Sequence, residues 1–341
     1  MIPYPMAGAY LITDPVNMRY LHRLPMARGA VYLSAQRRVF LSWSRMPAEP
    51  PPDRLRLLAI REESLGDTLQ ALLREDGLTE ICVEPSVPLH LYRQVERIPG
   101  IHVRISEDPV SQWREIKDDW EVAQLAEAGR ITDDAFAGIL PFLRPGVTEL
   151  EIAAELERSM RLAGCAEFNK TIVAAGAHSA KPHHWPTEYA IRKGDFVTMD
   201  YGCTVNGYHS DLTRTVVIGR ASTAQKRVYE AVLQAQQAAE EALSAGKTSG
   251  EMDALARGII ERAGYPGRFL HNLGHGIGLD IHEGTGLIRG SGTILQAGMV
   301  VSVEPGIYLE GEGGVRIEDI AVVEEQGCRV LENAERKLIE V

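Results

Sequence analysis

The chain has 341 residues, 45% of them hydrophobic and 24% charged, a composition typical of a globular protein of about two domains. Its 36 Lys and Arg against 47 Asp and Glu leave a net charge of -11, which disfavours nucleic acid and anionic membranes as partners. Four cysteines without Cys-x-x-Cys spacing indicate neither a disulfide framework nor a zinc cluster. The lack of a signal peptide or a long apolar run favours a cytoplasmic location.

The first 112 residues are predicted to form a small α/β domain with a proline-rich loop at residues 47–52 inside it. A first helix is predicted around the helically spaced leucines Leu65, Leu69 and Leu73, and a second near residues 89–95. Short strands are predicted at residues 9–13, 30–33, 39–43, 55–60, 80–83 and 102–105. The second and third of these strands form a predicted hairpin.

A polar stretch at residues 106–111 marks the domain border, which we place after residue 112. Pro145-Gly146 ends the first segment of the second domain, and Thr148 with Glu151 opens the next helix as a capping box. That first segment, residues 113–140, is predicted to be one long helix whose inward residues are Ile116, Trp120, Leu125, Ile131 and Phe136. The rest of the second domain, up to residue 341, alternates helices with hairpins.

Two carboxylates are predicted to meet on a first hairpin, which is built around the favoured two-residue turn Asn206-Gly207. This turn places Asp200 opposite Thr213, and Asp211 becomes the diagonal neighbour on the same face. The flanking positions are apolar, so two unpaired carboxylates would repel each other there and one would have to take a proton. A bound cation is the simpler solution.

A second hairpin near the C-terminus repeats this layout, with turn glycines at residues 311–314. Glu304 and Glu318 have the same strand parity and should share a face. Arg316 lies on that acidic face as an orienting charge, whereas Asp319 should point to the opposite side.

A glycine-rich segment at residues 271–283 joins the two hairpins and predicts an irregular, closely packed loop around His275. Four carboxylates and one imidazole suit hard or borderline divalent ions such as Mn²⁺ or Co²⁺, with Zn²⁺ as a further option. Five such ligands can hold two ions about 3.5 to 4 Å apart, and such a pair turns a shared water into hydroxide near neutral pH.

Residues 113–341 resemble the pita-bread metallopeptidases, and the first 112 residues resemble the creatinase-type domain that precedes this fold. The N-terminal likeness is clearest from Ile12 to Leu21. The catalytic likeness is carried in order by Met199-Asp200-Tyr201-Gly202, Ser210-Asp211-Leu212-Thr213-Arg214-Thr215, His275-Gly276-Ile277-Gly278 with His282 and Glu283, Val303-Glu304-Pro305-Gly306 and Arg316-Ile317-Glu318-Asp319.

The resemblance implies a role for each matching residue. Asp200 chelates one metal ion, Asp211 and Glu318 bridge the pair, and His275 with Glu304 completes the second site. As a hypothesis for the mechanism, Glu304 also relays the proton toward the leaving nitrogen, and Arg316 orients the carboxylates from its place on their face. Three histidines line the substrate site: His183, His271 and His282. Lys170 and Lys181 depart from the family pattern and put the shape of the pocket in question.

The implied activity is metal-dependent hydrolysis of the bond between an N-terminal residue and proline, by a hydroxide bridging two divalent ions, with Mn²⁺ favoured. The aminopeptidase P type is favoured, and prolidase, which acts on Xaa-Pro dipeptides, is the alternative. A non-catalytic pita-bread module that binds peptides is an alternative of another class, and the complete ligand set argues against a metal-free creatinase. The resemblance also implies a homodimer.

Overall fold

The structure is a computed structural model that describes residues 8–24, 28–44, 55–105 and 109–341. It divides into two compact units, Met1–Arg114 and Glu115–Val341. The border expected after residue 112 lies inside the helix Pro109–Arg114, which closes the first unit. The predicted loop at residues 47–52 and the start of the predicted polar stretch, 106–108, lie outside the described residues.

The first unit contains a six-stranded mixed sheet in the order β4-β3-β2-β1-β5-β6. Its strands are β1 (Ala9–Ile12), β2 (Gly29–Leu33), β3 (Arg38–Ser42), β4 (Arg56–Ala59), β5 (Glu80–Val83) and β6 (His102–Ile105). Its helices are α1 (Pro15–His22), α2 (Leu65–Asp76), α3 (Leu89–Glu96) and α4 (Pro109–Arg114). The hairpin of β2 and β3 and the other predicted strands and helices of this unit are confirmed. Helices α1 and α4 were not predicted.

Helix α2 shows why the leucine spacing was informative. Leu65, Leu69 and Leu73 are fully buried against the sheet, as a stripe three to four residues apart requires. Gly77 then ends the helix in the left-handed conformation, with a φ of 68°, and its N–H is bonded to the last turn.

The second unit contains two three-stranded sheets, β11-β8-β7 and β12-β15-β16, and two short ladders, β10-β9 and β13-β14. The strands are β7 (Ile172–Ala175), β8 (Phe196–Tyr201), β9 (Thr204–Val205), β10 (Tyr208–His209), β11 (Leu212–Val217), β12 (Val300–Val303), β13 (Gly306–Leu309), β14 (Gly313–Arg316), β15 (Asp319–Glu324) and β16 (Gly327–Val330). The helices are α5 (Asp119–Ile139), α6 (Glu149–Leu162), α7 (Thr223–Ala242) and α8 (Ser249–Arg262).

The predicted long helix at 113–140 is wrong, because the chain breaks between α4 and α5. Asp118 caps α5, and a capping box with Glu121 holds this start in place. Ile116 therefore lies in the break and is 40% exposed, although it was expected to face inward. Trp120 is half-buried, and the expected inward residues farther along α5, Leu125, Ile131 and Phe136, are buried.

Each half of the second unit is a hairpin covered by a pair of helices. Buried side chains of α5 and α6 pack on the first hairpin, and those of α7 and α8 pack on the second. All four helices begin with a capping box, and α6 has the one predicted at Thr148. Within the described ranges, no helix has the length and apolar character needed to cross a bilayer.

Candidate active site

The first hairpin brings Asp200 and Asp211 together as its turn predicts. Asn206 and Gly207 both have positive φ values, 50° and 84°, which is the geometry of a two-residue hairpin turn. Asp200 on β8 pairs with Thr213 on β11, so the predicted register is confirmed. The ladder is interrupted on both strands near the turn, and Asp211 lies in one of these interruptions.

The second hairpin is interrupted in the same way at its two acidic residues. Glu304 follows β12, and Glu318 precedes β15, so neither lies in a regular strand. A single β-bridge between Thr213 and Glu318 joins the two hairpins, and the Thr213 hydroxyl also donates to the Glu318 carboxylate. This bridge brings the carboxylates of both hairpins to one spot.

The loop that carries His275 lies directly against β12, and its glycines permit that approach. A Cβ atom on Gly274 would lie 1.9 Å from the Ser302 carbonyl oxygen, so a larger residue would clash. The Ser302 N–H donates to the His275 carbonyl at 2.8 Å. The His275 imidazole then lies with Nε2 3.4 Å from Asp211 Oδ2 and 3.7 Å from Glu304 Oε1.

Burial and repulsion from neighbouring carboxylates raise the pKa values of Asp200, Glu304 and Glu318. Burial raises the pKa of Asp200 to about 6 and that of Glu304 to about 7. Burial and the charges of Asp211 and Glu304 raise the pKa of Glu318 well above its usual value. Burial alone would lower the pKa of His275, but its hydrogen bond to Asp211 and the charge of Glu304 raise it to about 9.

This donor set fits divalent cations. Crowded carboxylates need either protons or cations for neutrality, and these donors are mostly oxygen with one imidazole. The candidate metal-binding groups among the described residues include Asp211, His275 and Glu318, whose ligand atoms lie within 4.8 Å of one another. Asp200 and Glu304 line the same cavity.

Arg316 orients this cluster from within the buried face. Its guanidinium donates to the Asp200 carboxylate, and it also donates to the hydroxyls of Thr213 at 3.2 Å and Tyr308 at 2.9 Å. The side chain is almost fully buried. Asp319 is instead bound on the other side by Arg214, with Nη2 2.7 Å from Oδ1, so both predicted directions are confirmed.

One cavity of about 850 Å³ contains all the predicted site residues. Its lining includes His183, His271 and His282 besides Arg316 and the five predicted metal ligands. His209, which the sequence left unassigned, lines it too. Burial lowers the pKa of each of the three predicted histidines, and the charge of Arg316 adds to this for His183 and His271. These three imidazoles are therefore neutral at neutral pH.

Tyr308 is a site residue that the sequence did not single out. The His271 Nδ1 atom faces the Asn272 carbonyl at 2.8 Å and must carry the proton there, which leaves Nε2 as an acceptor. The Tyr308 hydroxyl lies 2.7 Å from that Nε2 and so donates to it, while it accepts from Arg316. The signal available in the sequence was the even spacing between Glu304 and Tyr308, which places two strand residues on the same face.

Replacing Tyr308 with Phe is expected to lower kcat/KM about tenfold without changing metal content. The change removes the donor to His271 and the acceptor for Arg316, and a lost buried hydrogen bond costs about 1.5 kcal/mol. Tyr229→Phe is the matched control, since the Tyr229 hydroxyl donates to the Arg336 carbonyl at 2.8 Å in the core. Equal activity losses in the two variants would contradict a role for Tyr308 in the site.

Lys117 is a second residue missed from the sequence. Its Nζ lies 2.9 Å from Glu283 Oε1, and both side chains are buried. The other Glu283 oxygen accepts from the Asp280 N–H at 3.0 Å, and the Glu283 N–H donates to Gly276. Lys117 thereby holds the loop that carries His282. Because it was placed within a predicted continuous helix, its partner could not be foreseen.

The mixed α/β fold and this cluster define a metallopeptidase with a pita-bread catalytic domain. The model of metallopeptidase family M24 matches residues 123–325. The chain therefore belongs to metallopeptidase family M24, an enzyme family that depends on a pair of divalent metal ions.

Similar sequences and similar solved structures agree with this assignment. The chain is 33% identical over 279 residues to a protein named Xaa-Pro dipeptidase from Pyrococcus horikoshii, covering 81% of this chain and 78% of that one. A solved Xaa-Pro dipeptidase from Bacillus anthracis superposes with a TM-score of 0.89 at 36% identity, covering 98% of this chain and 95% of that one. An X-Pro aminopeptidase from Thermotoga maritima superposes with a TM-score of 0.92 at 33% identity, covering 98% and 97%.

Proposed function

We propose that this enzyme is an Xaa-Pro dipeptidase, a prolidase. The observation that carries the proposal is the single cavity in which five metal-type donors face three neutral histidines. The sequence favoured the aminopeptidase P type, but the curated relatives named Xaa-Pro dipeptidase support the alternative better. With membership of a peptidase family and a complete donor set, the non-catalytic peptide-binding module has no support.

The residues proposed to hold two divalent cations, with Mn²⁺ the favoured ion, are Asp200, Asp211, His275, Glu304 and Glu318. Such cations polarise a carbonyl oxygen and lower the pKa of a water, so that the water can attack near neutral pH. Arg316 supports this arrangement by holding the Asp200 carboxylate in one orientation.

Glu304 is proposed to move the proton. Its carboxylate can accept a proton from the attacking water and then donate it to the leaving proline nitrogen. That nitrogen belongs to a tertiary amide without an N–H, so proline must be recognised by shape rather than by a donor. Neutral imidazoles of His183, His271 and His282 provide a wall of this kind, with His282 proposed to contact the scissile bond.

Release of the N-terminal residue from matched Xaa-Pro and Xaa-Pro-Xaa peptides tests the proposal. Metal-stripped protein should be inactive, and added Mn²⁺ should restore cleavage of the dipeptide well above that of the tripeptide. A preference for the tripeptide would restore the aminopeptidase P assignment. No cleavage of either peptide by the metal-loaded protein would remove the Xaa-Pro activity altogether.

Lys170 supports a dipeptide substrate. The described residues lining the cavity include two positively charged side chains, Arg316 and Lys170. Arg316 is already paired with Asp200. The Lys170 Nζ lies 4.2 Å from the Trp185 ring centroid, a cation–π contact that holds the ammonium group at the cavity rim. A dipeptide places its free carboxylate one residue from the scissile bond, within the same cavity.

Lys170→Ala is expected to raise KM for an Xaa-Pro dipeptide roughly twofold to fivefold, because an exposed ion pair contributes up to about 1 kcal/mol. KM for the matching Xaa-Pro amide, which lacks the carboxylate, should not change. Lys181→Ala is the control, since Lys181 is exposed on a neighbouring loop and does not line the cavity. An equal rise in KM for dipeptide and amide would count against the carboxylate contact.

The homodimer and the cytoplasmic location implied by the sequence remain proposals. Light scattering of the purified protein at micromolar concentration is expected to give the mass of two chains. A mass of one chain at that concentration would remove the proposed dimer.

A further inference from the structure

Glu149, the first residue of α6, has a fully buried carboxylate that lies outside the cavity lining. Five donors converge on its two oxygens. Oε1 accepts from the Ala175 N–H at 2.8 Å and faces His178 Nδ1 at 3.0 Å. Oε2 faces His184 Nε2 at 2.9 Å and accepts from the Thr187 N–H at 3.0 Å and the Thr187 hydroxyl at 2.6 Å.

These donors lie at both ends of one segment, residues 176–187. Ala175 ends β7 immediately before the segment, and Thr187 closes it. Between them the chain carries Pro182 and His183 into the cavity lining. A single carboxylate therefore fixes the start and the end of the segment that presents His183.

The segment is also held by ring packing around the carboxylate. The His178 and His184 rings stack with centroids 4.4 Å apart, and Tyr189 packs on His178 at 5.0 Å. Burial would raise the pKa of Glu149, but the hydrogen bonds from Thr187 and His184 outweigh it and lower that pKa. The carboxylate is thus charged, and it lies at a helix N-terminus, where negative charge is favourable.

We propose that Glu149 is a positioning residue that holds segment 176–187, and through it His183, against the catalytic cavity. The inference rests on the proposed function, because His183 acts there as part of the substrate wall. The ligand atoms of Glu149, His178 and His184 also lie within 4.8 Å of one another, a spacing that a metal ion can bridge. Backbone and hydroxyl donors already occupy both carboxylate oxygens, which favours the hydrogen-bonded arrangement.

Glu149→Gln tests the proposal, with Glu151→Gln as its matched control. Glu151 is exposed two residues along the same helix, and glutamine retains its capping role. Hydrogen–deuterium exchange is expected to rise in residues 176–187 of Glu149→Gln and to stay unchanged in Glu151→Gln. This readout does not depend on turnover, and unchanged exchange in both variants would overturn the proposal.

A double-mutant cycle with His183→Ala separates positioning from general stability. Glu149→Gln alone should lower kcat/KM for an Xaa-Pro substrate roughly tenfold or more, with metal content unchanged. In the His183→Ala background the same change should cost almost nothing, because the group it positions is absent. Equal losses in both backgrounds would mean that Glu149 does not act through His183.

Three further experiments keep the outcomes distinct. If Glu149→Gln fails to fold, Thr187→Val replaces it in the exchange and kinetic experiments, with a smaller effect in the same direction. A third equivalent of Zn²⁺ bound by the unaltered protein and lost in Glu149→Gln would overturn positioning in favour of a metal site. Failure of the unaltered, metal-loaded protein to cleave any Xaa-Pro peptide would remove the proposed function, and the exchange result would still decide whether Glu149 holds the segment.

Discussion

Glu318→Gln is expected to reduce bound metal from two ions per chain to one or none and to lower kcat about a thousandfold. The carboxylate is buried close to the charges of Asp211 and Glu304, and a pair of cations bound there would need its negative charge. Glutamine keeps the shape and can still accept from Thr213, so the change removes mainly the charge. Losing the polarisation of the substrate carbonyl by the metal ions raises the activation free energy by several kcal/mol. Each increase of about 1.4 kcal/mol lowers the rate tenfold.

Metal content by mass spectrometry and turnover of an Xaa-Pro dipeptide check this expectation together. Glu312→Gln is the matched control, because Glu312 is exposed in the turn between β13 and β14 of the same hairpin. That variant should retain both ions and full turnover. Two ions and undiminished activity in Glu318→Gln would remove Glu318 from the ligand set.

Arg214→Met is expected to lower the free energy of unfolding by about 3 kcal/mol. The guanidinium is buried behind the site and donates five hydrogen bonds, to the Asp319 carboxylate and to the carbonyls of Thr213, Glu318, Ala334 and Glu335. Removing one partner of a buried ion pair typically costs about 3 to 5 kcal/mol. Asp319 still accepts hydrogen bonds from Arg336 at 2.7 Å and Gln236 at 2.8 Å. The expected loss of stability is therefore at the low end of that range.

Urea unfolding of the two arginine variants Arg214→Met and Arg329→Met checks this value. Arg329 pairs with Glu324 at 3.1 Å on the surface, with about half of each side chain exposed, so its loss should cost less than about 1 kcal/mol. Similar unfolding midpoints for the two variants would show that the buried network around Arg214 contributes no more than a surface ion pair.

The local chemistry of the sequence determined the geometry of the two acidic hairpins. A two-residue turn at Asn206-Gly207 allows only one pairing register of the two strands, and strand alternation then decides which side chains share a face. The pairing of Asp200 with Thr213 and the opposite directions of Arg316 and Asp319 follow from these two rules alone. The leucine stripe of α2 and the capping box at Thr148 are equally local signals.

The tertiary structure alone decided which distant residues support the site. The partners of Lys117 and Glu149 lie far along the chain, in Glu283 and in residues 175–187, and no short-range pattern links them. The helix break before Asp118 was missed because apolar spacing continues across it, and the capping box at Asp118 and Glu121 marks where the next helix begins. Turns, registers and caps follow from neighbouring residues, whereas a buried charge finds its partner only when packing brings separate elements together.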